Sequence, residues 1–179
     1  MSVQTKRLWM RIGMAMVLAL AGCGYHFAGG GENIDRSVQK VYVETFVNGT
    51  SEAGIENTFR SAFIDQFIRG GRFKLVDNRA LADAIVKGNI KALNTTPLSH
   101  TLGSIAAEQR MTVALELVFE TTSSGEKKVL WLNKDFSVTG DYIVNPTDAN
   151  ATQVLRNTAL TKLAGDTAER AYSMMMSGF

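Results

Sequence analysis

Residues 110–120 carry an apolar side chain at every second position, and this pattern constrains the fold more than any other in the chain. The apolar phase consists of Met111, Val113, Leu115, Leu117 and Phe119. Successive side chains of a β-strand point to opposite faces, so the pattern predicts a strand with one buried face. A sheet with one buried face needs a second layer that covers it.

Two segments have the periodicity of amphipathic helices and can form that second layer. Residues 52–69 carry large apolar side chains at every fourth position and are followed by two glycines: Ile55, Phe59, Phe63, Phe67, Gly70 and Gly71. Residues 145–148 open a second helix, which we expect to run to about residue 176.

The remaining strands complete the predicted fold. We expect them at 38–47, 72–76, 84–93 and 128–142, with a loop around Pro97 and Gly103. Lys134 interrupts the alternation of the last strand, which indicates a bulge or a strand end near it. The order of elements predicts an α+β fold: a two-layer sandwich, with two helices packed on one face of a mixed sheet of about four strands.

The N-terminal residues have the layout of a secretory signal. A basic leader precedes the apolar residues 12–20, which are too few for the ~20 that a spanning helix needs. The sequence Leu20-Ala21-Gly22-Cys23 follows and holds the only cysteine. It resembles a bacterial lipobox, which implies cleavage before Cys23 and attachment of fatty acids such as palmitate to that residue. The alternative is an uncleaved membrane anchor with an incidental cysteine.

The domain boundaries and the charge follow from that interpretation. Residues 1–22 are the predicted lipoprotein signal peptide, and residues 23–37 are a lipidated, glycine-rich tether. Residues 38–179 form a single domain. Removing the signal takes three of the 19 basic residues and none of the 17 acidic ones, so the formal charge becomes −1. That charge argues against nucleic-acid binding.

The sequence offers little for catalysis or for binding a cofactor. His26 and His100 have no cysteine, histidine or carboxylate nearby at a spacing that binds metals. We find no nucleophile elbow, phosphate-binding loop or zinc-protease motif. We therefore expect no metal, no cofactor and no enzymatic activity.

Two groups of residues are candidates for contacts outside the chain. Tyr42, Phe46, Val118 and Trp131 fall in the strand phase that points away from the helices, and several large apolar groups there predict a surface for a partner. Covering loops, or scattered exposure without function, are the alternatives. The second group is basic and could contact the phosphates of an anionic lipid such as lipopolysaccharide, or simply be solvated: Lys127 and Lys128 at a hairpin, with Arg69, Arg72 and Lys74 near the first helix end.

Several segments resemble one known family. They are Cys23-Gly24-Tyr25-His26-Phe27, Phe46-Val47-Asn48-Gly49-Thr50, Phe73-Lys74-Leu75-Val76-Asp77 and Ala82-Asp83-Ala84. Together with the order of elements, they are similar to the LptE family of lipopolysaccharide-assembly lipoproteins. Ala28 stands where some members have arginine.

The resemblance implies a function. LptE-like proteins insert into the lumen of the outer-membrane barrel LptD, help it to assemble, act as a plug and take part in delivering lipopolysaccharide. It implies an outer-membrane lipoprotein whose domain faces the periplasm or the barrel lumen, and Gly24 in place of Asp after the cysteine also resembles outer-membrane sorting. The alternative is a lipoprotein that regulates cell-wall synthesis or serves as an adapter of a secretion apparatus.

Overall fold

The computed structural model describes residues 34–100, 106–122 and 127–178, and the predicted signal peptide and most of the tether lie outside these residues. The elements, in chain order, are β1 (Lys40–Val43), β2 (Val47–Asn48), α1 (Ile55–Gly70), β3 (Lys74–Leu75), β4 (Ala84–His100), β5 (Ala106–Thr121), β6 (Val129–Ile143) and α2 (Ala149–Ser177). A short 3-10 turn, Arg79–Leu81, precedes β4.

The strands form one mixed sheet. Its order is β3-β1-β4-β5-β6, and β2 continues along β4 beyond the end of β1. Pairing is parallel among β3, β1, β2 and β4, and antiparallel from β4 through β5 to β6. The α+β prediction is confirmed. The sheet has six strands, roughly consistent with the expected four, and two of them, β2 and β3, are only two residues long.

The core lies between this sheet and the two helices, which pack against each other on one face. Ile55, Phe59, Phe63 and Phe67 of α1 are all buried, and so is the predicted apolar phase of β5. From α2, Leu163 and Met175 join the same cluster. Burying one such side chain contributes about 1.5–3 kcal/mol relative to leaving it exposed. The periodicity of the sequence therefore identified the main body of the core.

The helix boundaries follow the local sequence. Helix α1 starts at Ile55 instead of 52, because Gly54 adopts a left-handed conformation with φ of +81° just before it. It ends where predicted, since Gly71 at φ +65° terminates the last turn. Helix α2 begins after Asp148, whose carboxylate accepts the backbone N–H of Ala151 at 2.9 Å. Among the described helices, none has the length and hydropathy that a bilayer-spanning helix requires.

Strand β4 is longer than the sequence indicated. We expected it to end at 93 before a loop around Pro97, but it continues to His100. Proline is tolerated there because, beyond Ile90, β4 pairs with β5 on one side only. A register shift between Pro97 and Ser99 marks the irregularity.

Candidate interaction surface

The sheet face opposite the helices, here called the outer face, is the first candidate for contacts outside the chain. Tyr42, Ile85 and Glu120 lie side by side on neighbouring strands β1, β4 and β5. The next row consists of Lys87, Val118 and Leu132. Tyr42 and Val118 are half-buried on this face, where the sequence placed them. Their contact with a partner stays a prediction.

An ion pair lies among these apolar side chains. The Lys87 Nζ atom is 2.6 Å from Glu120 Oε1, and the Glu120 side chain is only 10% exposed. Ile85 beside it is fully buried although it points away from the helices. A buried carboxylate without a partner is strongly destabilising, so the contact with Lys87 offsets the cost of burying Glu120 on this face. A protein that docks here would meet apolar groups around a fixed pair of charges.

Beyond this pair, the outer face becomes more polar. Lys91 Nζ lies 3.5 Å from Glu116 and 3.8 Å from Asp135, and donates to the carbonyl oxygen of Lys134 at 2.6 Å. Further along, Arg110 donates to both carboxylate oxygens of Asp141 at 2.7 Å. The outer face therefore grades from apolar near Tyr42 to charged and polar near Arg110.

The prediction for Phe46 is wrong. Phe46 is buried, and its ring centroid lies 5.0 Å from that of Phe63 on α1. The register explains the error: Val43 pairs with Val86 and Val47 with Asn89, so the β1–β2 segment contains one residue more than β4 does. The extra residue reverses the alternation, and Phe46 turns toward the helices.

The prediction for Trp131 is wrong for the same reason. Trp131 is 8% exposed, pairs with Phe119, and packs edge-on against Phe136 at 6.4 Å between centroids. Leu115 pairs with Phe136 and Leu117 with Asn133, which leaves one extra residue in β6 around Lys134. The predicted bulge near Lys134 exists, and it reverses the phase of the strand. Leu132, at 42% exposure, takes the outward position instead.

The basic candidates lie at the end of the sheet where β1, β3 and β4 begin. Lys127 and Lys128 are exposed just before β6, and the backbone of Lys128 pairs with that of Thr121. Lys74 is exposed at the start of β3. Arg72 is half-buried, while Arg69 hydrogen-bonds Gln66 on α1. The structure thus gathers the two basic groups at one end of the domain.

At the opposite end, an ion pair joins the segment before α1 to α2. Arg156 donates to both carboxylate oxygens of Glu52 at 2.9 and 2.6 Å. These hydrogen bonds lower the pKa of Glu52 and raise that of Arg156. The pair fixes the start of α2 against the turn before α1.

The part of the chain that the structure describes contains no candidate metal centre. No group of three or more histidine, cysteine, aspartate or glutamate side chains there could hold a metal ion. Cys23 and His26 lie outside the described residues.

The open grooves run along the sheet edges: one of about 610 Å³ lies between α1 and the β1–β3 edge, and it is lined mainly by apolar side chains including Ile64, Ile68 and Leu75.

These features define a class of protein: a two-layer α+β domain in which two helices cover one face of a mixed sheet. A family model described as LptE, lipopolysaccharide-assembly, matches residues 38–175. Because that match spans most of the chain, the protein belongs to the LptE family of lipopolysaccharide-assembly lipoproteins. The resemblance seen in the sequence is confirmed.

Several solved structures are similar to this chain at low sequence identity. Protein CT253 from Chlamydia trachomatis has a TM-score of 0.52 and 8% identity, with 78% of this chain and 98% of that chain covered. The rare lipoprotein B from Shewanella oneidensis has a TM-score of 0.47 and 16% identity, covering 75% and 96%. A lipoprotein from Caulobacter crescentus has a TM-score of 0.49 and 11% identity, covering 75% and 89%. A search of curated protein sequences gives no match.

Proposed function

We propose that this chain is an outer-membrane lipoprotein, anchored through Cys23, that acts as plug and assembly partner of an LptD barrel in lipopolysaccharide transport. Membership of the LptE family is the observation that carries the proposal. The protein acts without catalysis and needs no cofactor. Its domain faces the periplasm or the barrel lumen.

The outer face is the surface that contacts the barrel in this proposal. It has the composition of a surface that a partner covers, with apolar groups around an ion pair whose carboxylate, that of Glu120, is only 10% exposed. Val47 extends this face at 63% exposure, on the strand beside β4. Two of the four predicted partner residues, Tyr42 and Val118, belong to it. Phe46 and Trp131 do not, because they form part of the core.

Co-purification tests the proposal. A tagged wild-type chain, solubilised from outer membranes in mild detergent, should carry a large barrel protein with it. The double variant Val47→Glu/Leu132→Glu places charges on the outer face and should reduce the amount of bound barrel roughly tenfold or more, because charges buried at an interface without a partner disfavour association.

A matched control exists on α2. Val154 and Leu155 are 65% and 41% exposed, against 63% and 42% for Val47 and Leu132. Val154→Glu/Leu155→Glu should therefore retain the barrel. Equal loss in both variants would remove the outer face from the proposal, and a wild-type chain without any barrel partner would overturn the proposal itself.

Depletion separates this function from the alternative lipoprotein roles. Loss of surface lipopolysaccharide is expected when the chain is depleted. Normal lipopolysaccharide with a defect in the cell wall or in secretion would instead identify a regulator of wall synthesis or a secretion adapter.

Lys127 and Lys128 are the candidates for contact with lipopolysaccharide phosphates, since both are exposed and neither takes part in the ion pairs found among the described residues.

A further inference from the structure

Two lysines lie directly opposite each other where β1 and β3 begin. Lys40 and Lys74 are paired residues of adjacent parallel strands, and both are exposed. Like charges in such positions repel each other and destabilise a sheet. Neither lysine forms one of the ion pairs found in the described part of the chain. An arrangement that costs stability in the free protein becomes favourable when an external anion binds between the two ammonium groups.

More cations surround this pair. Arg72 donates to the carbonyl oxygens of Val38 at 3.3 Å and Asp35 at 3.5 Å, which holds its guanidinium beside the start of β1. On the other side, the backbone N–H of Thr122 donates to the carbonyl oxygen of Asp83 at 2.8 Å, which joins the end of β5 to the start of β4. We call the resulting surface the basic end: Arg36, Lys40, Arg72, Lys74, Lys127 and Lys128.

The carboxylates of Asp35 and Asp83 at this end accept hydrogen bonds from backbone N–H groups. Asp83 Oδ2 accepts the backbone N–H groups of Gln39 and Lys40 at 3.0 and 2.8 Å. Asp35 Oδ1 accepts the backbone N–H of Ser37 at 2.8 Å. These hydrogen bonds lower the pKa of both groups, so both are ionised near neutral pH. Among the described residues of this end, two carboxylates, one of them that of Asp83 close to Lys40, stand against six cations and leave an excess of positive charge.

The chain enters the domain at this same end. Ile34, the first described residue, is buried next to Asp35, whose carbonyl oxygen Arg72 contacts. It follows Cys23 by eleven residues, which span at most about 40 Å when fully extended. A lipid on Cys23 would therefore hold the basic end within about 40 Å of the membrane surface.

We propose that the basic end binds the phosphate groups of anionic phospholipids in the leaflet that carries the anchor. The inference rests on the proposed anchoring through Cys23. Lipid phosphates at the membrane surface would lie between Lys40 and Lys74 and offset their repulsion. The contact would orient the domain relative to the membrane, which a glycine-rich tether alone does not do.

Vesicle binding tests this proposal with the full chain carrying Cys23→Ser, which prevents acylation. Binding is measured to vesicles of phosphatidylcholine alone and of phosphatidylcholine mixed with phosphatidylglycerol. The apolar N-terminal segment contributes to both, and the basic leader before it contributes equally in every variant, so differences between variants report on the basic end. Phosphatidylglycerol should strengthen binding. The variant Arg36→Gln/Lys40→Gln/Lys74→Gln should lose roughly ten- to a hundredfold of the phosphatidylglycerol-dependent part, and salt should weaken it.

A control triple removes the same charge elsewhere. Lys134→Gln/Lys162→Gln/Arg170→Gln alters exposed cations of β6 and α2 and should retain the phosphatidylglycerol-dependent binding. Equal loss in both triples would reduce the effect to net charge and overturn the proposal. So would wild-type binding that phosphatidylglycerol does not change, or a response confined to lipopolysaccharide aggregates. The barrel co-purification uses residues of the outer face, so the failure of one proposal is distinguishable from that of the other.

Discussion

At the scale of single residues, Gly88 determines where one of the largest core side chains can lie. The Phe46 ring rests directly on the backbone of Gly88, and a Cβ atom added there would lie 2.3 Å from the ring. Any other residue at this position would displace Phe46 from its contact with Phe63. The glycine thus compensates for the extra residue that turns Phe46 inward.

Substituting this glycine should destabilise the domain. Gly88→Ala forces the Phe46 ring or the strand to shift, and we expect the free energy of unfolding to fall by about 1–3 kcal/mol, measured by urea denaturation. Phe46→Leu in the Gly88→Ala background should recover part of the loss, because the smaller side chain leaves room for the methyl group. A Gly88→Ala variant as stable as the wild type would contradict this packing.

Gly165 provides the matched control for that substitution. It lies within α2, and apart from its chain neighbours and the nearby backbone of its own helix, no atom lies within 4 Å of the position its Cβ would take. Gly165→Ala should therefore raise the free energy of unfolding by about 0.5–1 kcal/mol through helix propensity alone. The free energy of unfolding should therefore fall on substitution of Gly88 and rise on substitution of Gly165. This difference separates a steric clash in the core from a gain in helix propensity.

At the scale of elements, two irregular strands explain both where sequence reasoning succeeded and where it failed. The uninterrupted alternation of β5 and the four-residue repeat of α1 predicted their buried faces correctly, because a regular strand or helix keeps one phase throughout. In the β1–β2 segment and in β6, one extra residue reverses the phase partway along. The position of Lys134 predicted the irregularity in β6. The sequence could not predict the side of the sheet to which Trp131 points, because that side is set by the register of β6 with β5.

In β6, Trp131 points into the core and Leu132 points away from it, so substitutions of these two adjacent residues should differ in their effect on stability. Trp131→Ala should lower the free energy of unfolding by about 3–5 kcal/mol, since it empties a space in the core. Leu132→Ala should cost less than about 1 kcal/mol, because Leu132 is exposed on the outer face. Denaturation curves of the two variants decide the matter. A larger loss for Leu132→Ala would restore the phase that the sequence alone suggested.

At the scale of the whole molecule, β4 changes from a central strand to an edge strand. From Ala84 to Val86 and again at Asn89 and Ile90 it has neighbours on both sides, while the later residues pair with β5 alone. Backbone N–H groups exchange with water slowly when they are hydrogen-bonded and rapidly when they are not. The two halves of the strand should therefore differ in protection.

Amide hydrogen exchange measured by NMR should show that difference. Consecutive amides from residue 84 to 86 should be protected, whereas between 92 and 98 protection should appear at every second residue only. Strand β5, which has β4 and β6 on its two sides over most of its length, provides the internal comparison. Uniform protection along all of β4 would mean that another segment covers its free edge.

The direction of α2 has a consequence for the dimensions of any complex. The helix starts near Glu52, contacted by Arg156, and its last turns lie beside Gly70, where the Tyr172 ring packs. Its 29 residues rise about 1.5 Å each, which gives an axis about 43 Å long. The hydrocarbon layer of a bilayer is about 30 Å thick. A domain aligned with the membrane normal, with its basic end at one surface of the hydrocarbon layer, would therefore extend past the opposite surface of that layer.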